Sequence, residues 1–277
     1  MENVRSVRLR IDLAYDGAPF HGYARQPGFV TVQGTLEGAL SRFFGVPVAL
    51  TCAGRTDRGV HALAQVVHCD LPADRAQVQR HLIDIDTFAR RLDQSVGDAI
   101  TIWQARLVAR SFNARFSATS RRYRYRIAEE RQDDPLRRHN RWHVGERLDV
   151  AAMRVAAKYL IGEHDFKSLC RAVPGRTTMR RITALTIARV APGQLHIVVT
   201  GNAFCHQQVR ALVGCLVEVG RGEQPPDWVG MVRDAKDRSV AAPVLPAKGL
   251  TLEWVTYGPG IDAAPPIRVR DRIVTHV

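Results

Sequence analysis

One carboxylate in this chain stands in surroundings that favour chemistry. Asp57 lies in Ala53-Gly54-Arg55-Thr56-Asp57-Arg58-Gly59-Val60-His61, a glycine-bracketed turn between two apolar runs, with Arg55 two residues before it. Glycine permits the tight or left-handed backbone that lifts a side chain clear of flanking strands. A cation close by keeps a carboxylate ionised, and an ionised carboxylate suits a nucleophile or general base better than a general acid. Taken alone, Gly-Arg-Thr-Asp is most often a polar turn with a solvated ion pair, so the rest of the chain has to decide. His61 and His206 are, by residue type, candidate proton carriers. Each is better read as a structural hydrogen-bonding group.

Two further stretches carry residue types suited to a polyanion. The loop after residue 16 interleaves Phe20, His21 and Tyr23 with Arg25 and Gln26. Such a loop either stacks on bases and touches phosphate or uses its aromatics to pin itself to its own domain. Farther on, Arg122, Arg124 and Arg126 alternate with Tyr123, Tyr125 and Ile127. At strand spacing the arginines share one face, and with no acid opposite they read as a phosphate track.

Composition agrees. The chain has 277 residues, 40 basic against 27 acidic, a formal charge of +13 and a hydrophobic fraction of 45%. That length suits two packed halves around globular cores, and the charge favours nucleic acid over an anionic membrane, for which no separate basic amphipathic helix is present. No apolar run approaches the roughly 20 residues that span a bilayer, and the N-terminal residues lack a signal-peptide pattern. Cys52, Cys69, Cys170, Cys205 and Cys215 are odd in number and scattered, as expected of reduced core cysteines in a cytoplasmic protein. Neither Cys-x-x-Cys nor paired-His spacing points to a metal.

The elements that must position these residues follow from periodicity. Strands are expected at 7–15, 46–53, 62–71 and 99–108, with helices at 32–44 and 75–94. Asp57 then sits in the connection between the two central strands of a β-α-β-β-α-β unit, the ferredoxin-like arrangement. After a basic seam at 109–121 comes a strand through Tyr123. A strand with its loop is expected near 130–147, a helix at 149–161, strands at 179–191 and 194–201, a helix at 206–220, a short helix after Pro225-Pro226-Asp227, and a last strand at 249–257. The pattern repeats, so the expected fold is α+β. Two ferredoxin-like halves, 1–110 and 111–258, form one continuous, mostly antiparallel sheet with a central cleft, and 259–277 is an extended or disordered tail.

Beyond these patterns, the chain resembles the tRNA pseudouridine synthases of the TruA type. The resemblance rests on Gly54-Arg55-Thr56-Asp57-x-Gly59-Val60-His61, Tyr15-Asp16-Gly17, Gln33, Asn113-Ala114-Arg115-Phe116-Ser117-Ala118 and Arg121-Arg122-Tyr123-Arg124-Tyr125. It continues in Gly162-Glu163-His164-Asp165-Phe166, Asn202-Ala203-Phe204-Cys205-His206, Val209-Arg210, Val213-Gly214 and Gly249-Leu250-Thr251-Leu252, in order to about residue 257. It implies isomerisation of uridine to pseudouridine at positions 38–40 of the tRNA anticodon stem-loop, by a cytoplasmic homodimer, without cofactor or metal. It also implies roles: Asp57 as the catalytic carboxylate, Arg55 tuning it and holding the base extruded, and Arg210 as its basic partner. Tyr123 would stack on the flipped base and Leu250 would close the pocket beneath it. Arg25, Arg58, Arg122 and Arg124 would contact the RNA. The chain departs from the family pattern at Arg58, Tyr23, Leu92-Asp93-Gln94-Ser95 and Gln208. The rival reading is a catalytically weakened tRNA-binding or RNA-folding protein, with Arg58 crowding the turn. A weaker third, an N-glycosidase that stops after cleavage, would leave an abasic tRNA.

Overall fold

The computed structural model describes residues 6–261, 267–269 and 272–274. Chain contacts divide it into two compact units, 1–119 with 254–277 and 120–253.

In the first unit, β1 (Ser6–Tyr15), β2 (Thr51–Cys52), β3 (His61–Pro72) and β4 (Ile100–Val108) lie in the order β4-β1-β3-β2. All three pairings are antiparallel. Leu9, Ile11 and Leu13 on β1 are wholly buried, as are Leu36 and Leu40 on helix α1 (Val32–Phe44). Full burial of each such side chain contributes about 1.5–3 kcal/mol. Thr31 caps α1 by accepting from the Gly34 N–H, and Gly45 ends it in the left-handed conformation that glycine adopts without strain.

Two expectations for this unit need correction. The strand expected at 46–53 is reduced to two residues, because α1 side chains take the backbone donors a strand would have used. The Val48 N–H donates to Ser41 Oγ at 3.1 Å and the Leu50 N–H to Glu37 Oε1 at 2.9 Å. The helix expected at 75–94 is two helices, α2 (Ala76–Ile83) and α3 (Ile85–Ser95). Asp84 interrupts it, leaving helical backbone angles to accept from the Thr87 N–H. An N-cap of this kind contributes about 1 kcal/mol.

The second unit contains β5 (Ala118–Ala128, from Ser120 on), β6 (Trp142–His143), α4 (Val150–Ala157) with a 3-10 turn after it, β7 (Gly162–Asp165), β8 (Met179–Ala191), β9 (Gln194–Gly201), α5 (Gln208–Gly220), α6 (Trp228–Ala235) and the first residues of β10 (Leu250–Tyr257). Its order is β10-β5-β9-β8-β7, with β6 parallel to β5. Without β6 and β7, this is the strand order of the first unit over again, so the mixed α+β, mostly antiparallel expectation holds. The segment at 130–147 yields only the short β6. The four residues of β7 were not anticipated. Of the residues expected to form a tail, Ile267–Val269 (β11) and Arg272–Val274 (β12) pair antiparallel. Most of the others lie outside the described residues.

Candidate active site

The turn bearing Asp57 is clamped by backbone contacts from the loop that follows β1. The Tyr23 N–H donates to Thr56 O at 3.0 Å, and the Val60 N–H closes the turn on Asp57 O at 3.1 Å. Gly22, at φ +95°, lies so close that a Cβ there would sit 3.2 Å from both Arg58 N and Thr56 O. A Cβ on Gly17 would sit 2.1 Å from Val60 O, a distance no side chain tolerates. The glycines are therefore required for close approach of two backbones. Asp57 itself is part-buried, while Arg55 and Arg58 on the same turn are exposed. Arg55 makes no hydrogen bond or ion pair among the described residues, and its side chain is not fixed against Asp57.

The loop's aromatics divide between the two roles open to them. Phe20 and Tyr23 are buried and pin the loop; Phe29, Val30 and Arg25 face solvent. Gln33 ties the loop to α1, accepting from the Arg25 N–H at 3.1 Å and donating to Glu37 Oε1 at 2.7 Å. Arg25 approaches Glu37 at 3.6 Å with 73% of its side chain exposed, a weak pairing that leaves the guanidinium at the surface. His61 makes local contacts: its Nδ1 accepts from the Gly17 N–H at 3.2 Å and lies 3.0 Å from Asp16 Oδ1.

Sequence reading missed the support under the turn. Gln65, fully buried on β3, donates from Nε2 to Gly54 O at 2.7 Å and to the Tyr15 hydroxyl at 3.2 Å. Tyr15 in turn shares a 2.8 Å hydrogen bond with Thr56 Oγ1. The signal available was an uncharged amide at an inward position of β3, flanked by apolar residues. Among the described residues, no group of three His, Cys, Asp or Glu side chains is arranged to hold a metal.

In the second unit, Arg210 and Tyr125 hold the segment that leads to Leu250, and Tyr123 lies on the same face of β5 as Tyr125. Tyr123 is nearly buried on β5 with its ring edge-on to Phe204, centroids 5.2 Å apart. Two residues on and therefore on the same face, Tyr125 donates its hydroxyl to Pro246 O at 2.8 Å. Arg210, on the first turn of α5, donates from Nε to Leu245 O at 2.7 Å, so it is an anchored side chain. The 3-10 turn Ala247–Gly249 follows and delivers Leu250, buried, to the start of β10. Gly249 is obligatory here, since a Cβ would meet the Tyr125 ring at 2.7 Å. His206 is exposed.

The arginine face of β5 departs from the expectation of no acid opposite. Glu253 on β10 lies 3.2 Å from Arg122 Nε and 2.5 Å from Arg124 Nη2, while Arg126 donates to Thr251 Oγ1 at 2.8 Å. Two of the three arginines thus share one glutamate, and Arg122 keeps nearly half its side chain exposed. The face remains cationic but is partly neutralised by a residue well over a hundred positions away in sequence.

Comparison with known proteins gives this arrangement a family. Residues 156–258 match the family model described as tRNA pseudouridine synthase. A protein of Frankia casuarinae named tRNA pseudouridine synthase A is 47% identical over 260 residues, 93% of this chain and 92% of the relative. One of the same name from Leifsonia xyli is 44% identical over 266 residues, covering 91% and 92%. A third, from Idiomarina loihiensis, is 41% identical over 253 residues, covering 91% and 93%. On this near-complete similarity, the chain belongs to the tRNA pseudouridine synthase family.

Proposed function

We propose that this protein isomerises uridine to pseudouridine in the anticodon stem-loop of tRNA, at positions 38–40, with Asp57 as the catalytic carboxylate. The observation that carries the reading is a single carboxylate on a turn held rigidly from several sides, in a chain collinear with relatives named tRNA pseudouridine synthase A. The reaction breaks the N-glycosidic bond, turns the freed uracil and rejoins it to the ribose through carbon. Atoms balance without a co-reactant, and the chemistry is assigned to the chain's own residues. Asp57 works as the ionised group, Arg210 as its basic partner and Arg55 as the cation that holds the base out of its stack. Tyr123 replaces the stacking the flipped base has lost, and Leu250 closes the apolar side of the pocket. Arg25, Arg58, Arg122 and Arg124 attract the RNA backbone, giving salt-sensitive affinity. The working form is a cytoplasmic homodimer. Membrane association has no support in the helices, none of which, among the described residues, is long and apolar enough to cross a bilayer.

A binding-only protein was the rival because Arg58 could crowd the turn. Arg58 is exposed and the turn's backbone hydrogen bonds are made, which favours the enzyme. The test uses an unmodified tRNA transcript, purified protein and no added cofactor, with pseudouridine located by carbodiimide labelling and primer extension. New stops at 38–40 are expected from the wild type and none from Asp57→Asn, with tRNA affinity within about twofold. Equal modification by both would remove Asp57 from the mechanism, and tight binding without any stops would establish the binding-only reading.

A further inference from the structure

We propose that Gln65, Tyr15 and Thr56 are positioning residues for the reaction, forming a buried hydrogen-bond chain that runs from β3 through β1 into the turn and fixes the backbone carrying Asp57. The inference rests on the assignment of Asp57 made above.

The links of the chain follow from its donors and acceptors. The Gln65 amide is oriented by two backbone groups: its Oε1 accepts from the Val66 N–H at 3.2 Å, so its Nε2 faces Gly54 O, 2.7 Å away. The second Nε2 proton goes to the Tyr15 oxygen at 3.2 Å. An amide nitrogen only donates, so Tyr15 accepts there, and its hydroxyl also shares a 2.8 Å hydrogen bond with Thr56 Oγ1 in which either oxygen can be the donor. Thr56 is thereby held at its side chain by Tyr15 and at its carbonyl by the Tyr23 N–H. Gly54 is held three residues before Asp57 and Thr56 one residue before it. The two points of attachment leave the turn little freedom to rotate the carboxylate.

The energetics explain why such a chain would be kept. Gln65 is completely buried, Tyr15 and Thr56 nearly so, and a buried polar group without partners costs about 1–3 kcal/mol. An apolar residue at position 65 would serve the core of β3 equally well. The amide is accounted for by what it holds, since two of its three hydrogen bonds end on the Asp57 turn or on the tyrosine that reaches it. Displacing a reacting group by about 1 Å can cost roughly a hundredfold in rate while leaving the remote binding surface alone.

The experiment compares wild type, Thr56→Val, Thr56→Ser, Tyr15→Phe and Asp57→Asn in single-turnover modification of a tRNA transcript, with tRNA affinity and melting temperature measured alongside. Thr56→Val keeps shape and removes only the hydroxyl. The expected result is a rate lowered about 10- to 100-fold, with affinity within about twofold of wild type, and recovery to at least half the wild-type rate in Thr56→Ser. If Thr56→Val does not fold, Tyr15→Phe deletes the same hydrogen bond from its other end, together with the acceptor for Gln65 Nε2, and is judged by its rate against its tRNA affinity. A wild-type rate in whichever of the two folds overturns the proposal. So does a rate loss that Thr56→Ser fails to recover, or one matched by lost tRNA affinity, since either marks a general structural role. The two assignments fail separately: an active Asp57→Asn removes the carboxylate's role and this inference with it. An inactive Asp57→Asn beside a fully active Thr56→Val removes only the inference.

Discussion

Acidification from neutrality to about pH 5 should remove about 2 kcal/mol of folding stability through one histidine, His68. It sits on β3, only 5% exposed, and its Nδ1 accepts from the Ala114 N–H at 3.1 Å. Protonation would destroy that acceptor and place a cation in a desolvated site near the Arg8 guanidinium, which holds the same segment by donating to Arg110 O and Phe112 O. Burial first, and Arg8 second, therefore lower its pKa from the ordinary 6.5 to about 4, with Asp70 opposing weakly. The unfolded chain binds this proton more readily than the folded one. The stabilisation is present in full above the unfolded pKa of about 6.5 and is lost as pH falls towards the folded value. Two and a half units correspond to about 3.4 kcal/mol in total, of which about 2 kcal/mol is gone at pH 5. Urea unfolding at a series of pH values between about 7.5 and 4.5 measures this for the wild type and for His68→Asn, whose Oδ1 can accept the Ala114 N–H but cannot titrate. His196, also lowered to about 4 by burial, contributes a slope common to both proteins, so the difference between the two isolates His68. Parallel pH profiles for the two would refute the reasoning. So would faster exchange of the Ala114 amide in the wild type than in the variant at neutral pH.

Other consequences are more local. Glu253→Gln should strengthen tRNA binding several-fold at low salt and steepen the dependence of log affinity on log salt by up to about one unit, because Arg122 and Arg124 lose their shared counter-charge. An unchanged salt slope in a binding titration would show that this face of β5 does not meet RNA. Among the five cysteines, Cys205 should be alkylated first near neutral pH. A hydrogen bond from Cys170 and the nearby Arg180 lower its pKa, whereas burial raises Cys52 and Cys215 to about 11 and Cys69 to about 12. Cys170→Ala should slow labelling of Cys205 as read by mass spectrometry, and faster labelling would contradict the role given to Cys170.

What the sequence discloses here is governed by the range of the interaction responsible. The strands Met179–Ala191 and Gln194–Gly201 were legible to the residue because alternation and a Pro-Gly turn are local, and Gly193 takes the positive φ that such a turn needs. The Asp57 turn was legible for the same reason, since its bracketing glycines and its carboxylate lie within a few residues of one another. Where a distant side chain decides, local reading failed. Residues 46–50 are apolar enough for a strand, yet Ser41 and Glu37 on α1 take the Val48 and Leu50 donors. The arginines of β5 looked unopposed because Glu253 arrives on a strand well over a hundred residues later. Gln65 belongs to both classes: its oddity is visible in one strand, but its purpose appears only when β1 brings the Tyr15 hydroxyl beside it. A polar residue at an inward position of a strand is thus informative from sequence alone, because the desolvation it incurs must be offset by something it holds. In this chain two of its hydrogen bonds lead, directly or through Tyr15, to the turn of the one carboxylate on which the chemistry is proposed to depend.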